Sequence, residues 1–553
     1  MAVLLPLVVL SAGCSRHKGG AVFELLDPAR TGVRFANTVV ANDTLNVQNN
    51  VYLYNGAGVA AGDIDNDGLP DLFFAGNLVS SRLYLNKGNL RFEDITESAG
   101  VATHTWATGV SMVDINNDGY LDIYVSVSGS ETSHGKDRAN LLFINNGNRT
   151  FTEAAGRYGI ADTGFTTQAV FFDYNGDGLL DLFLLNNSPK DFGRGVADTH
   201  PLGIQSESPE SWNKLYRNNG DGTFTDVSQQ AGILRKVGYG LGVAVADVNR
   251  DGWPDLYVSN DVTPNDVLYI NNGNGTFTDK AGTWIKHASY SGMGADIADF
   301  NDDGWPDILQ VDMAPPELSG RKMMSGYFSY GSQLELQRRG FRVDYDVNSL
   351  QMSNGVTKDG DLIFSNIALM AGVAYTNWSW SALFADFDND GRKDIFISNG
   401  YPKATNDLDY QMTSFAARQR PGARQEALEL LKQLHDYPST NYLFHNNGDL
   451  TFSDVTQPWG IEPQRKGGYA YGAAYVDLNN DGKLDLVVNN LNAPAAIYEN
   501  VRAPDSATHY LGVKLEGDST NRGGIGATLT LTAGGRKQYL YHSPYRGYMS
   551  TMD

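Results

Sequence analysis

The feature that most constrains this chain is an acidic nine-residue motif, D-x-[DN]-x-D-G-x-x-D, which occurs seven times. Calcium takes about six to eight oxygen ligands in a flexible geometry, and positions 1, 3, 5 and 9 of the motif offer carboxylate or amide oxygens. Glycine at position 6 lets the backbone reverse with a positive φ. Position 7 varies in type, which suits a ligand that is a backbone carbonyl. The motif therefore predicts up to seven Ca²⁺ sites.

The predicted metal ligands are the side chains at positions 1, 3, 5 and 9 of each copy. In chain order they are Asp63, Asp65, Asp67, Asp71; Asp114, Asn116, Asp118, Asp122; Asp173, Asn175, Asp177, Asp181; Asp247, Asn249, Asp251, Asp255; Asp299, Asn301, Asp303, Asp307; Asp386, Asp388, Asp390, Asp394; and Asp477, Asn479, Asp481, Asp485. The first and sixth copies carry four carboxylates, so we expect these two loops to bind calcium most tightly.

Two other interpretations of the motif are weaker. An EF-hand needs Glu at position 12 and a helix on each side. Here position 12 is never Glu, as Phe74 and Val125 show, and the flanking segments are typical of strands. Ordinary Asp/Asn/Gly turns would explain one copy, but not seven with the same acidic positions.

A second motif follows most of the acidic loops and predicts a β-hairpin. It is a strand, an Asn-Gly type of turn and a strand carrying Phe, as in residues 83–96 and again from residues 141, 215, 268 and 443. Asn-Gly between apolar runs is a strong hairpin signal. The two motifs together make a repeated four-stranded unit, which is typical of a propeller blade. We therefore predict an all-β, seven-bladed β-propeller with short helical insertions.

These residues resemble the FG-GAP repeats of integrin α-subunit propellers and the related VCBS repeats of bacterial secreted proteins, over about residues 20–505. The run Asn521–Ala527, the LTLT strand and the RGYMS sequence after it resemble the start of an ASPIC/UnbV domain, as in proteins similar to cartilage acidic protein. The predicted organisation is a lipoprotein-type signal (1–14), a linker (15–22), the propeller (23–505) and a partial ASPIC/UnbV-like domain (506–553).

Three long insertions fall between the second and third strands of their blades, at about 188–212, 313–346 and 401–440. In an up-and-down blade, this connection leaves the disc on the face opposite the acidic loops. In the last insertion, Ala427, Leu430, Leu431 and Leu434 share one face of a predicted helix. Aromatic residues in the other two could form a sugar- or peptide-binding platform, or simply pack on the rim: Trp212, Tyr327, Phe328 and Tyr330. The resemblance implies that this insertion face binds the ligand.

The seventh blade lacks a Phe-bearing fourth strand after its third strand at 495–500. We predict that an N-terminal strand at 31–38 pairs into this blade and closes the ring, because closure removes open sheet edges.

The single cysteine, Cys14, follows a short apolar stretch and the sequence Ser-Ala-Gly. This resembles a bacterial lipobox and implies lipidation of Cys14; a simple secretory signal is the alternative. We expect an extracytoplasmic protein of the bacterial cell envelope, an outer-membrane lipoprotein that meets the membrane through its lipid anchor. The net charge of −22 gives no support to nucleic-acid binding.

No nucleophile elbow, HExxH or P-loop motif occurs, and the nine histidines are scattered. We therefore expect no enzyme but a calcium-stabilised binding or adhesion module that recognises a glycan, a peptide or an envelope protein. The alternative is a polysaccharide-active lyase or hydrolase whose site is assembled from separate blades.

Overall fold

The computed structural model describes residues 20–130, 132–187, 189, 209–233, 238–262, 264–324, 330–418, 420, 424–437, 440–461, 463, 468–503, 509–517 and 520–553. They form a ring of seven antiparallel sheets and a C-terminal segment that enters the centre of the ring. The predicted all-β, seven-bladed propeller is confirmed. Cys14, and with it the predicted signal and lipidation site, lies outside the described residues.

Each blade has four strands, named A to D from the channel outward. Blade one has β2 (Val59–Gly62), β3 (Asp71–Phe74), β4 (Arg82–Asn86) and β5 (Phe92–Asp94), and blade two has β6 (Ala107–Val113), β7 (Asp122–Val127), β8 (Leu141–Asn145) and β9 (Phe151–Glu153). Blade three has β10 (Thr166–Phe172), β11 (Asp181–Asn186), β12 (Lys214–Asn218) and β13 (Phe224–Asp226), and blade four has β14 (Gly240–Ala246), β15 (Asp255–Asn260), β16 (Val267–Asn271) and β17 (Phe277–Asp279). Blade five has β18 (Ala295–Ala298), β19 (Asp307–Gln310), β20 (Ser349–Val356) and β21 (Leu362–Asn366), and blade six has β22 (Ser379–Ala385), β23 (Asp394–Asn399), β24 (Tyr442–Asn446) and β25 (Phe452–Asp454). The seventh blade has β26 (Tyr469–Val476), β27 (Asp485–Leu491) and β28 (Ala496–Asn500), and its outer strand is β1 (Phe23–Leu25).

Burial explains the sequence pattern of the strands. Strands A and B are covered on both faces by neighbouring blades, and every residue of β6 and β7 is buried. Strand D lies at the rim, where the first residue of β9, Phe151, is buried and the next two are exposed. The Phe of the second sequence motif is thus the anchor of the rim strand, and the residues after it face solvent.

Short helices occupy the connections. They are α1 (Pro28–Thr31), α2 (Thr96–Ala99), α3 (Ala155–Tyr158), α4 (Ala281–Trp284), α5 (Leu318–Met324), α6 (Tyr330–Arg338), α7 (Ala368–Ala371), α8 (Leu408–Arg418) and α9 (Arg424–Gln433), with single 3₁₀ turns at Gly135–Arg138 and Pro209–Ser211. Within the described ranges, no helix has both the length and the apolar character needed to span a bilayer.

The N-terminus closes the ring, but through a different strand from the one predicted. The outer strand of blade seven is β1, where Phe23 pairs with Asn500, and not the segment 31–38. That segment contributes only isolated bridges, Ala36 to Pro494 and Asn37 to Leu491. The predicted segment was therefore wrong. The strand β1 is short and has little periodicity of its own, and its position is set by its pairing with β28.

The acidic loops and the insertions leave opposite faces of the disc, as predicted. Every acidic loop joins strand A to strand B, whereas α5 and α6 lie between β19 and β20, and α8 and α9 between β23 and β24. In α9, Ala427 and Leu431 are buried, as the helical pattern predicted. We call the two sides the loop face and the insertion face.

The C-terminal region covers the loop face and then fills the channel. The hairpin β29 (Thr528–Ala533) and β30 (Arg536–Tyr541) lies against the loops of blades four to six. The strands β31 (Tyr545–Arg546) and β32 (Ser550–Thr551) then enter the channel, where β32 pairs in parallel with β2. We call residues 544–553 the channel hairpin.

The channel hairpin is bonded to several blades at once. Met549 O accepts from Val110 N at 3.1 Å in blade two, and Gly547 bridges Ala295 in blade five. The ring of Tyr548 is fully buried against Trp380 of blade six. One short segment therefore ties separate blades together from the inside.

Candidate metal centres

All seven acidic loops adopt the same turn. The position 1 carboxylate accepts from the backbone N–H groups of positions 5 and 6, as Asp63 does from Asp67 at 3.1 Å and Gly68 at 2.8 Å. The position 5 carboxylate accepts from the N–H of position 7, as Asp67 does from Leu69 at 3.0 Å. Gly68 has φ 87°, in the left-handed region that glycine tolerates. These bonds draw the oxygens of positions 1 and 5 toward one point.

Position 4 is a second constrained residue that the sequence pattern did not identify. It also has a positive φ in every loop, for example 60° at Asn66 and 73° at Gly176. Asn and Gly tolerate this conformation best, and five of the seven loops use one of them: Asn66, Asn117, Gly176, Asn389 and Asn480. The frequent Asn or Gly at position 4 is the sequence signal that could have predicted its positive φ.

The position 9 aspartate is the buried end of each loop. Asp71 is 1 % exposed; its Oδ2 accepts from Ile64 N and its Oδ1 from Asn86 N on strand C. The equivalent pair of backbone bonds recurs in the other six loops. Position 9 therefore fastens its loop to strands B and C, besides presenting oxygens to the loop interior.

Burial sets the electrostatics of these carboxyls. Desolvation raises the pKa of Asp71 and Asp122 to about 7, and that of Asp181 to about 8. The neighbouring carboxylates of positions 1 and 5 raise it further, since like charges oppose ionisation. A divalent cation beside these groups would favour their charged forms.

Position 3 divides the loops into two classes. Where it is Asn, the amide usually donates to position 5, as Asn116 does to Asp118 Oδ2 at 2.8 Å. Where it is Asp, an arginine from beyond the loop pairs with it: Arg149 with Asp65 and Arg502 with Asp388, both at 2.7 Å. The extra carboxylate of loops one and six is thus matched by a cation.

Loops one and six bring carboxylates closest together. Among the described residues, groups of three acidic or histidine side chains with ligand atoms within 4.8 Å of one another are Asp63, Asp65 and Asp71; Asp386, Asp388 and Asp390; and Asp388, Asp394 and His445. Apart from His445, whose Nδ1 lies 3.1 Å from Asp394 Oδ1, the donors are all oxygens. An oxygen donor set at the apex of a tight turn fits a hard cation such as Ca²⁺.

In five of the seven blades, a strand C asparagine connects the acidic loop to the preceding blade. Asn145 Nδ2 donates to Leu121 O of its own loop at 3.1 Å and to Ile64 O of blade one at 2.8 Å. The same bridge to the preceding blade is made by Asn86, Asn271, Asn446 and Asn500. Blade five has Ser353 at this place. Asn145, Asn271 and Asn446 are each the first residue of an Asn-Asn-Gly sequence, which the sequence pattern assigned only to the turn.

The C-terminal hairpin places cations against the loop face. Arg536 Nη2 lies 2.5 Å from Asp302 Oδ2 in loop five, and Gln538 Nε2 donates to Gly391 O in loop six at 2.8 Å. The Arg250 guanidinium of loop four lies 4.9 Å from the centre of the Tyr539 ring. The loops are therefore partly covered by the C-terminal hairpin.

The predicted aromatic platform is only partly described. Tyr330 is exposed on α6, and Trp212 is partly buried before β12. Tyr327 and Phe328 lie outside the described residues.

Repeated four-stranded blades with an acidic A–B loop define a class of propeller. Comparison with protein families assigns the chain to such a class. The FG-GAP-like repeat model matches residues 63–125, 129–184, 203–258, 253–309 and 430–488. The ASPIC and UnbV model matches residues 517–553. The chain belongs to the FG-GAP repeat family and carries an ASPIC/UnbV segment.

The curated relatives are proteins called cartilage acidic protein 1. The Xenopus tropicalis protein is 25% identical over 447 residues, covering 78% of this chain and 57% of the relative. The Mus musculus protein is 26% identical over 297 residues, covering 47% of this chain and 42% of the relative. The chain thus matches less than two thirds of the length of these relatives.

Similar solved structures have low TM-scores. An Agrocybe aegerita lectin that recognises non-reducing terminal N-acetylglucosamine has a TM-score of 0.37 at 16% identity, covering 74% of this chain and 84% of the lectin. An exotype rhamnogalacturonan lyase has a TM-score of 0.37 at 11% identity, covering 80% of this chain and 72% of the lyase.

Proposed function

We propose that this chain is a calcium-stabilised, extracytoplasmic binding module that recognises a glycan, a peptide or an envelope protein on its insertion face. Bound Ca²⁺ would hold positions 1, 3, 5 and 9 of the acidic loops together by neutralising their carboxylates. The blades and their loops would then act as a rigid frame, and the variable insertions would recognise the partner.

The observation that carries this proposal is the unequal use of the two faces. The loop face is partly covered by β29 and β30, and the channel is filled by the channel hairpin. The insertion face carries α5, α6, α8 and α9, which no repeat of the blade requires. Exposed side chains on these helices, such as Tyr330 and Met412, give this face a chemistry of its own.

The anchoring part of the proposal concerns Cys14. Lipidation there would tether the disc to the bacterial envelope, where calcium is abundant enough to fill weak sites. Replacing Cys14 with Ser should move the protein from the membrane fraction to the soluble fraction, while wild type remains membrane-bound.

The binding proposal is tested by screening immobilised glycans, peptides and envelope extracts with the calcium-loaded protein and with the chelated protein. We expect saturable binding that is lost on chelation, without release of cleaved products. Release of shortened oligosaccharides would support the polysaccharide-active alternative and contradict a purely binding role. Binding that survives a bulky substitution on the insertion face but not one on the loop face would place recognition on the loop face and contradict the proposal.

A further inference from the structure

A cavity of about 350 Å³ opens on the insertion face between blades three, four and five. Its wall is built from the B–C connection of blade four, the end of β17, the start of α4, and the segment Gly340–Arg342 that follows α6. Small-molecule sites in proteins commonly measure about 300–1,000 Å³. The cavity is therefore large enough for one or two sugar rings.

The inner wall of the cavity is held by a buried ion pair. Arg342 donates through Nε to Asp344 Oδ1 at 2.8 Å and through Nη2 to Asp344 Oδ2 at 3.1 Å. The Asn265 side chain clamps the same segment, since its Oδ1 accepts from Arg342 N at 2.9 Å and its Nδ2 donates to Asp344 Oδ2 at 2.6 Å. Two-point contacts of this kind fix both distance and angle, so the wall is rigid before any ligand arrives.

A second buried carboxylate, Asp266, is also fully engaged. It accepts from Tyr257 OH at 2.7 Å, Gln310 Nε2 at 3.0 Å and Asn260 N at 2.8 Å, and lies 3.9 Å from Arg342 Nη2. The two buried acids, Asp266 and Asp344, thus already accept hydrogen bonds from donors of the protein.

The outer wall offers polar groups beside apolar ones. Asn213 uses its Oδ1 to accept from Asn186 N, while its amide nitrogen makes no hydrogen bond to another described residue. Asp279 lies exposed at the mouth. Pro264, Val267 and Phe341 supply carbon surface between these groups. A wall of alternating amide, carboxylate and carbon surface matches the hydroxyl groups and C–H faces of a sugar.

The charges lining the cavity select against anions. Among the residues that line it, Asp266 and Asp279 outnumber the one cation, Arg342, which is itself paired with the buried Asp344, and the chain as a whole has a net charge of −22. Uronic acids, sulfated sugars and phosphates would be repelled, because like charges repel strongly where solvent is limited.

We propose that this cavity is the binding site for a neutral saccharide unit. The inference rests on the proposed binding function and makes it specific, because it identifies the ligand as a neutral glycan. One sugar unit of that glycan would enter the cavity between blades four and five. Asn213 and Asp279 would hydrogen-bond its hydroxyl groups, and Phe341 and Val267 would contact its carbon face.

The test uses a glycine that lines the cavity. A Cβ atom added at Gly282 meets nothing within 4 Å, so Gly282→Trp should fold normally and fill the cavity. Gly156 holds the same second position in α3 that Gly282 holds in α4, and its added Cβ also meets nothing within 4 Å. Gly156→Trp, which lies in blade two, is therefore the matched control.

Binding is measured by calorimetry on the full chain with calcium, using neutral oligomers of glucose, galactose, mannose and N-acetylglucosamine, and oligogalacturonate as the anionic probe. We expect one neutral series to bind, with at least a tenfold loss of affinity in Gly282→Trp, a smaller loss in Asn213→Ala and no change in Gly156→Trp. Melting curves of Gly282→Trp and Gly156→Trp should match wild type, whereas Asn213→Ala also removes the acceptor of the Asn186 N–H and should melt at a lower temperature.

Each contrary result has its own meaning. Glycan binding that Gly282→Trp leaves intact would overturn this site while leaving the binding function in place. Preference for oligogalacturonate would overturn the charge argument and with it the neutral class. Capture of a lysine-rich peptide that Gly282→Trp abolishes would assign the cavity to a peptide instead. No binding of any saccharide, peptide or envelope component would overturn the proposed function as well.

Discussion

The two faces of this propeller are built on opposite principles. On the loop face, seven copies of one turn repeat the same hydrogen bonds with near-identical φ values at positions 4 and 6. On the insertion face, blades differ in length and content, and α5, α6, α8 and α9 occur in only two of them. Repetition on one face provides a rigid frame, and irregularity on the other provides individual surface chemistry.

The loop face gathers acidic side chains whose negative charges a bound cation would neutralise. Each loop collects three or four carboxyls, and burial makes ionisation of the position 9 carboxyl unfavourable, as the raised pKa of Asp122 illustrates. The insertion face depends on ordinary packing and on the fixed ion pair of Arg342 and Asp344. Removing calcium should therefore disturb the first face far more than the second.

The largest expected effect is that of calcium removal. A ligand at about 100 times its Kd stabilises the fold by about 2.7 kcal/mol per site, and several loops contribute together. We expect chelation to lower the melting temperature by roughly 10 °C or more, since ΔΔG of about 1 kcal/mol already shifts Tm by a few degrees. Calorimetric melting with and without chelator checks this. An unchanged curve would mean that the loops are ordinary turns.

The next effect concerns the channel hairpin. Arg546 pairs bidentately with Asp296 at 2.8 and 3.1 Å; the Asp296 side chain is 2 % exposed and that of Arg546 11 %. Removing one partner of a buried pair costs about 3–5 kcal/mol, because the other charge is left uncompensated. We expect Arg546→Ala to lose that amount in denaturant unfolding.

The control for Arg546 is Arg536, whose pair with Asp302 is more exposed. Surface pairs contribute about 0–1 kcal/mol, so Arg536→Ala should change stability little. Equal losses in the two variants would contradict the idea that the channel hairpin ties the blades together.

A smaller effect is expected at the asparagines between blades. Asn446 Nδ2 donates to Phe300 O and Lys393 O, both at 3.0 Å. Asn446→Ala leaves these buried carbonyls without their donor, at a cost of about 1–3 kcal/mol. Asn447, one residue further, is exposed and bonds Thr451 within the turn. Asn447→Ala should cost clearly less, and the reverse order would show that the turn matters more than the bridge.

The smallest effect is a difference between loops. Loop six has four carboxylates and loop seven has three, so Asp386→Ala should reduce calcium affinity more than Asp477→Ala does. Arg502 already pairs with Asp388 in loop six, which reduces the expected difference in calcium affinity between the two variants. Calcium titration of both variants and of Arg502→Ala decides the ranking. If Asp477→Ala reduces calcium affinity at least as much as Asp386→Ala, the number of carboxylates does not determine the affinity of a loop.

Most of the frame could be predicted from sequence because its information is local and repeated. An Asp-rich turn with Gly at position 6, such as Asp63–Asp71, fixes its own conformation through side-chain bonds within nine residues. The hairpin carrying Phe151 does the same through its Asn-Gly turn. Seven repetitions then identified the ring.

What could not be predicted depends on partners distant in sequence. The outer strand of blade seven is Phe23–Leu25, which is selected by its pairing with Asn500 and not by its own pattern. The role of Asn145 became visible only when Ile64 of blade one was seen beside it. The cavity on the insertion face combines Asn213, Gly282 and Arg342, which no spacing in the sequence connects.

The sequence by itself thus determined the repeat, the acidic positions of the loops, the turn conformations and the side of the disc on which the insertions lie. The tertiary structure decided how the ring closes, that residues 544–553 fill its channel, and where the cavity on the insertion face forms. The physical reason is range: turns and hairpins are stabilised by bonds between near neighbours, whereas closure, channel filling and cavities arise from packing between segments hundreds of residues apart.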